Sequence, residues 1–128
     1  MEYRGYDSAG ICTSNGLAMH LHKKVGRVEN LKNTTLPGHK GIAHTRWATH
    51  GGVTDKNAHP FIANDSFSIV HNGIIENYLE LKEELRNGGA VFTSDTDSEV
   101  ILHLVARHYQ GNLLQAVLKA VPRLHGAF

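Results

Sequence analysis

Cysteine is nearly absent from this sequence: of 128 residues one is cysteine, Cys12. A lone thiol excludes an internal disulfide and any zinc or iron-sulfur centre built on several cysteines, and it fits a reducing compartment. Its setting, Ala9-Gly-Ile-Cys-Thr-Ser14, is apolar enough for a strand, so the thiol reads as packed and inert. Long hydrophobic runs are missing as well. No apolar stretch approaches the roughly 18 residues a membrane span needs, and no charged, apolar and small-residue succession marks a signal peptide. A cytoplasmic location without a membrane partner is the expectation. Charge of one sign is missing too: 13 Lys and Arg stand against 12 Asp and Glu, a net +1 with histidine neutral, and the basic residues are dispersed. That balance argues against nucleic acid as a partner.

What is present fits one soluble domain at most: 41% hydrophobic and 20% charged residues can build a single core. Met1 leads at once into the turn-rich Glu2-Tyr-Arg-Gly-Tyr-Asp-Ser8, and Leu124-His-Gly-Ala-Phe128 stops where an apolar run begins. Residues 1–128 are therefore expected to be part of a larger domain.

Periodicity predicts strands over Ser8–Thr13 and Leu17–Val25, joined by Ser14-Asn15-Gly16 as an antiparallel hairpin, with Leu17, Met19 and Leu21 alternating with polar neighbours. Gly26–Lys32 is a short helical candidate with Val28 and Leu31 on one side. Gly41–Thr45 reads as a short buried strand feeding Arg46, and Ala48–Pro60, aperiodic and holding Gly51-Gly52 and Pro60, as a long loop of the kind that usually carries function. Phe67–His71 is a predicted strand that ends in a sharp turn at Asn72-Gly73. A helix capped by Asn77 with Glu80 three residues on has Tyr78, Leu81 and Leu85 on one face and stops at Gly88-Gly89. Ala90–Thr93 is a predicted small strand. Thr96 and Glu99 have capping-box spacing, which starts a helix at Asp97 with Val100, Ile101, Leu104 and Val105 as its apolar stripe. A third helix, Leu113–Val121, presents Leu114, Val117, Leu118 and Val121. Strands and helices mix without strict alternation, which predicts an α+β fold with antiparallel pairing.

Three segments permit chemistry. Arg46, at a strand end opening into a loop, can fork onto a carboxylate with two parallel hydrogen bonds, or it can be a surface arginine; Trp47, Thr49 and His50 beside it favour a site. Asn72-Gly73 can be a plain turn or an oxyanion hole, in which an amide NH2 and a backbone N–H converge on a developing oxyanion. Asp95 and Asp97 have Asp-x-Asp spacing without the rest of a calcium loop; one can cap the helix, and Asp97 can instead hold a ligand ammonium. Among ten histidines, His44, His50, His59 and His71 could converge on a metal. No His-Glu-x-x-His pair or other ligand interval supports that, so no metal and no cofactor is expected.

Five motifs carry a resemblance: Glu2-Tyr-Arg-Gly-Tyr-Asp-Ser-Ala-Gly10, Gly41-Ile-Ala-His-Thr-Arg-Trp-Ala-Thr-His-Gly51, Asn57-Ala-His-Pro60, Val70-His-Asn-Gly-Ile-Ile-Glu-Asn77 and Ser94-Asp-Thr-Asp-Ser-Glu-Val100. In this order they resemble the glutaminase domain of the glutamine-fructose-6-phosphate aminotransferases, which are class II glutamine amidotransferases. The resemblance implies an N-terminal nucleophile hydrolase fold, two antiparallel sheets between helical layers (αββα), here incomplete. It implies a partial glutaminase domain over residues 1–128, with the isomerase domain outside them. The activity implied is hydrolysis of glutamine to glutamate by an N-terminal cysteine through a thioester, the ammonia passing to the isomerase domain for glucosamine 6-phosphate synthesis.

By position, the resemblance implies that Arg46 binds the glutamine carboxylate, completed by Thr49 and His50, and that Asp97 receives the ammonium. Asn72 and Gly73 form the oxyanion hole, Arg4 lies near the nucleophile, and Trp47 belongs to the glutamine loop. The partners implied are glutamine and glutamate, fructose 6-phosphate through the isomerase domain alone, and further copies of the parent enzyme in a homo-oligomer. The family's cysteine start is not matched here. A Met1 thioether cannot form a thiolate, so these residues are expected to be inactive by themselves. The competing expectation is a non-catalytic module that binds glutamine or glutamate.

Overall fold

The computed structural model describes residues 7–128. The chain forms two compact units, one running through Val70 and the other from His71 to Phe128. Arg4 lies outside the described residues.

The first unit is built on a three-stranded antiparallel sheet in the order β2-β1-β3, with β1 at Ser8–Ser14, β2 at Met19–Val25 and β3 at Lys40–Arg46. The hairpin forms where turn chemistry predicts it. Asn15 Oδ1 accepts the N–H groups of Leu17 and Ala18, both at 2.9 Å, so the side chain substitutes for a backbone partner and turns the chain. Leu17 consequently sits in the turn, 91% exposed, and β2 does not show the expected alternation: Met19 and His20 are both half-buried and Leu21 is exposed. β3 runs through Arg46, opposite Ser8, and the expectation of a buried strand is corrected: Lys40, Gly41 and Ala43 are exposed and Arg46 is its buried member. Cys12, central in β1, is buried. At Gly10 a side chain has no room, since a Cβ would stand 2.0 Å from the His59 carbonyl oxygen.

The helical candidate at Gly26–Lys32 is a single 3-10 turn, Val28–Leu31, and a second, Asp55–Asn57, interrupts the long loop. A short hairpin follows, in which β4 at Phe61–Ala63, which periodicity did not indicate, pairs with β5 at Phe67–Ile69. Asn64 and Asp65 take positive φ at its tip, which suits a tight hairpin turn. β5 ends at Ile69, so the strand predicted to His71 is two residues shorter.

The second unit contains β6, Ile74–Ile75, paired antiparallel with β7, Gly126–Ala127, and three helices: α1 Tyr78–Asn87, α2 Glu99–His108 and α3 Leu113–Ala120. Their apolar residues at helical spacing drive packing: Leu81 and Leu85 from α1, with Val100, Leu102, Leu104 and Val105 from α2, are buried. Glu84 on α1 pairs with Arg107 of α2 and, at 2.6 Å, with Arg123 beyond α3.

Four local expectations fail here. Asn77 makes no side-chain cap; its amide instead accepts His125 N–H at 2.9 Å and donates to the Arg123 carbonyl at 3.0 Å. Ala90–Thr93 forms no strand, and α2 starts at Glu99, not Asp97, where the Glu99 carboxylate reaches back past Thr96 to Thr93 and Ser94. On α3 the small residues Ala116 and Ala120 are buried, while Leu114 and Leu118 are 66% and 58% exposed. Asn112 does cap α3, accepting Gln115 N–H at 3.1 Å. Among the described residues all strand pairing is antiparallel, as the sequence predicts. Among the described residues no helix is long and apolar enough to cross a membrane.

Candidate functional site

In the first unit the predicted residues gather where β3 opens into its loop. The backbone of Arg46 closes the sheet by accepting Asp7 N–H at 2.9 Å, and the Asp7 carboxylate accepts Ala48 N–H at 2.8 Å, which fixes the exit of the chain. The Arg46 guanidinium, 4% exposed, then donates to three successive carbonyls, those of His50, Gly51 at 3.1 Å and Gly52 at 3.1 Å. A planar cation in a ring of carbonyl oxygens bends the loop back over the strand end. Trp47, 71% exposed, and Thr49, exposed, lie on the outside of that bend, and His50 is half-buried.

Two residues that carried no predicted role hold this loop from behind. Asn57, fully buried, donates from its amide to the same Gly52 carbonyl at 2.9 Å. Lys23, reaching from β2, donates to the carbonyls of Lys56 at 3.2 Å, Ala58 at 2.8 Å and Pro60 at 3.4 Å, and stands 4.5 Å over the Phe61 ring. Asn57 lies in a motif that carries the resemblance, which is the signal that could have marked it. For Lys23 the sequence holds none. His44 and His59 stack with ring centroids 4.4 Å apart. Among the described residues no group of three or more His, Cys, Asp or Glu is arranged to hold a metal ion.

In the second unit Asn72 and Gly73 are exposed in the turn before β6. Gly73 has φ +136°, and a Cβ there would come within 2.1 Å of the Ala127 carbonyl oxygen, so glycine lets the β6–β7 backbones approach. Asp97, 3% exposed, belongs to the same construction: its Oδ2 accepts Ile75 N–H at 2.8 Å, two residues beyond Gly73. Ser98 Oγ lies 3.3 Å from Asp97 Oδ1 and 2.8 Å from His71 Nδ1. The structure thus joins Asp97 to both flanks of Asn72-Gly73, a link that spacing alone did not reveal.

Glu99 anchors the loop that presents Asp97. Its two oxygens accept the N–H of Thr93 at 2.9 Å and of Ser94 at 2.7 Å, and the hydroxyls of both residues. Burial pushes this carboxyl up, but the His103 ring 3.5 Å away, the Ser94 hydroxyl and the two backbone N–H groups outweigh it and hold the group at about 2.

Comparison with known proteins relates the chain to a family. The family described as a glutamine amidotransferase domain matches residues 44–128. The glutamine--fructose-6-phosphate aminotransferase [isomerizing] of Aquifex aeolicus is 53% identical over 133 aligned positions, which cover 100% of this chain and 22% of the relative. That of Thermotoga maritima is 52% identical with the same coverage, so the chain spans about a fifth of the length of the curated relatives it matches. Two solved structures are similar in fold. The glutamine phosphoribosylpyrophosphate amidotransferase from B. subtilis, complexed with ADP and GMP, has a TM-score of 0.78 at 29% identity, covering 97% of this chain and 28% of that one. A structure described as the allosteric regulatory enzyme of purine biosynthesis has a TM-score of 0.80 at 30% identity with the same coverage. The small antiparallel sheets and three helices are those of an incomplete N-terminal nucleophile hydrolase αββα fold, as the resemblance implied.

Proposed function

Because this chain belongs to the glutamine amidotransferase domain family, we propose that residues 1–128 are part of a glutamine-hydrolysing domain, serving an isomerising glutamine-fructose-6-phosphate aminotransferase that makes glucosamine 6-phosphate. The observation that carries the reading is Asp97: a buried carboxylate tied to the backbone two residues past Gly73, which pairs an ammonium ligand with an oxyanion-binding turn in one unit. Asp97 receives the glutamine ammonium, and Asn72 and Gly73 stabilise the oxyanion at the scissile amide. Arg46 receives the α-carboxylate, with Thr49 and His50 beside it and Trp47 on the loop's exposed side; Arg4 completes the set. An incoming carboxylate competes with the carbonyls of residues 50–52 for the Arg46 guanidinium, so the loop is expected to shift when glutamine binds.

Hydrolysis through a thioester requires a thiolate, and Cys12 is buried within β1, so the nucleophile in this reading is not among the described residues. In the parent enzyme the ammonia reaches a separate isomerase domain that binds fructose 6-phosphate, the enzyme is a homo-oligomer, and its location is the cytoplasm. Calorimetry of the chain with L-glutamate tests the pocket: binding is expected, weakened at least about tenfold in Arg46→Ala. Ammonia release from glutamine is expected only when a segment led by cysteine is supplied. Turnover by the 128-residue chain that survives alkylation of Cys12 would sink the assignment. Glutamate binding that never yields turnover with that segment would favour a non-catalytic binding module.

A further inference from the structure

The hydrogen-bond polarity around Ser98 is decided by one contact. A serine hydroxyl carries one proton, and Ser98 Oγ, 4% exposed as a residue, faces two groups: His71 Nδ1 at 2.8 Å and Asp97 Oδ1 at 3.3 Å. The histidine contact can run either way, depending on the tautomer. The aspartate contact is a hydrogen bond only if Ser98 donates, because an ionised carboxylate has no proton to give. At 3.3 Å that contact is long for an O–H···O bond, and what favours it is the charge of the acceptor. With that proton committed, the imidazole must be the donor, through Nδ1–H to Ser98 Oγ.

We infer that Ser98 is a positioning residue for the proposed amide-hydrolysing site, coupling the Asp97 carboxylate to His71 and holding that ring in its Nδ1–H tautomer. Asp97 Oδ2 meanwhile accepts Ile75 N–H at 2.8 Å. One carboxylate therefore secures the turn at both ends, His71 through Ser98 and Ile75 directly, with Asn72 and Gly73 between them. The Phe128 ring, tilted with its centroid 6.5 Å from that of His71, limits the space in which the imidazole can turn. An ammonium arriving at Asp97 draws on the same carboxylate, so its binding is transmitted through Ser98 to His71. The inference rests on the reading of Asp97 and Asn72-Gly73 as glutamine-binding groups, while its tautomer component stands apart from any ligand.

The test is long-range proton-nitrogen correlation NMR of the His71 ring in the 15N-labelled 128-residue chain at about pH 8, where an ordinary imidazole is neutral. The wild type is expected to show a protonated Nδ1 and an unprotonated Nε2. Ser98→Ala should lose that preference, and Ser98→Thr, which keeps the hydroxyl, should restore it. An Nε2–H ring in the wild type, which needs no variant to fold, would overturn the inference, as would His71 signals unchanged in a folded Ser98→Ala. Titration with L-glutamate follows on the same samples. Movement of the His71 nitrogens in the wild type, with about tenfold weaker binding in Ser98→Ala, supports the coupling. An Nδ1–H ring that Ser98→Ala releases, in a chain that glutamate does not bind, supports the tautomer role and overturns the glutamine reading alone.

Discussion

The two units order their irregular segments with largely opposite charges, the Asp7 carboxylate on Ala48 N–H in the first and Lys82 on the Ser94 carbonyl in the second being among the exceptions. In the first, cations collect carbonyls: Arg46 those of residues 50–52, and Lys23 those of Lys56, Ala58 and Pro60. In the second, carboxylates collect N–H groups: Asp97 that of Ile75, and Glu99 those of Thr93 and Ser94. Both arrangements solve the same problem, since a buried backbone group outside a helix or sheet needs a partner. The difference teaches where each half is vulnerable. Arginine and lysine side chains ordinarily keep their charge throughout the acid range, whereas carboxylates lose theirs, so acid should release the Thr93–Ser94 segment held by Glu99 before the carbonyls of residues 50–52 held by Arg46.

The largest expected effect comes from Glu99. Replacing it with alanine strands two backbone donors and two hydroxyls in a buried setting, and about 3 to 5 kcal/mol of stability should be lost, read as a lowered urea midpoint. Unchanged stability in Glu99→Ala would mean that the carboxylate does not organise the loop.

The acid arm uses the same residue. Glu99 is held at about 2 against an ordinary glutamate value of 4.5, so in the window between these values the unfolded chain binds more protons than the folded one. Its contribution is complete above 4.5 and is lost as pH falls through about 2. Unfolding midpoints measured down that window should fall less steeply in Glu99→Gln than in the wild type. Amide exchange at Thr93 and Ser94 should rise there before exchange in residues 50–52 does; the reverse order would break the contrast between the units.

Lys23→Met comes next. It removes an ammonium shared among three carbonyls while keeping the apolar stem over Phe61, and about 2 kcal/mol is expected, the scale of hydrogen bonds to a charged group. Chemical denaturation of the variant measures it. Faster exchange should be confined to the first unit.

What the sequence made legible divides along local and long-range lines. The β1–β2 hairpin could be read because Asn15 and Gly16 act within a few residues of themselves, and α1 and α2 because Leu81, Leu85, Val100, Leu104 and Val105 repeat at helical spacing. The spacing of Thr96 and Glu99 marked a true interaction but the wrong partners, because the glutamate reaches Thr93 and Ser94 instead of closing a capping box. α3 misled because its stripe of Leu114 and Leu118 remains exposed while two alanines allow close helix approach. The residues behind the site were invisible for a plain reason. Lys23 finds its carbonyls 33 to 37 positions away, and neither alternation nor composition reports such a reach.

The smallest expected effect is the finest test of the first unit. Asn57→Ala removes an amide that shares the Gly52 carbonyl with Arg46, whose Nη1 remains 3.1 Å from the same oxygen. Since a carbonyl has two lone pairs and keeps one partner, the acceptor is not left bare, and the loss should be about 1 kcal/mol. The consequence lies in geometry more than in stability. With Asn57 gone, Arg46 alone restrains Gly52, so amide exchange at residues 50–52 should rise and glutamate affinity should fall a few-fold, with Thr93 and Ser94 unchanged. If exchange rose in the second unit as well, the loops of the two units would be ordered by a common device rather than by separate, oppositely charged ones.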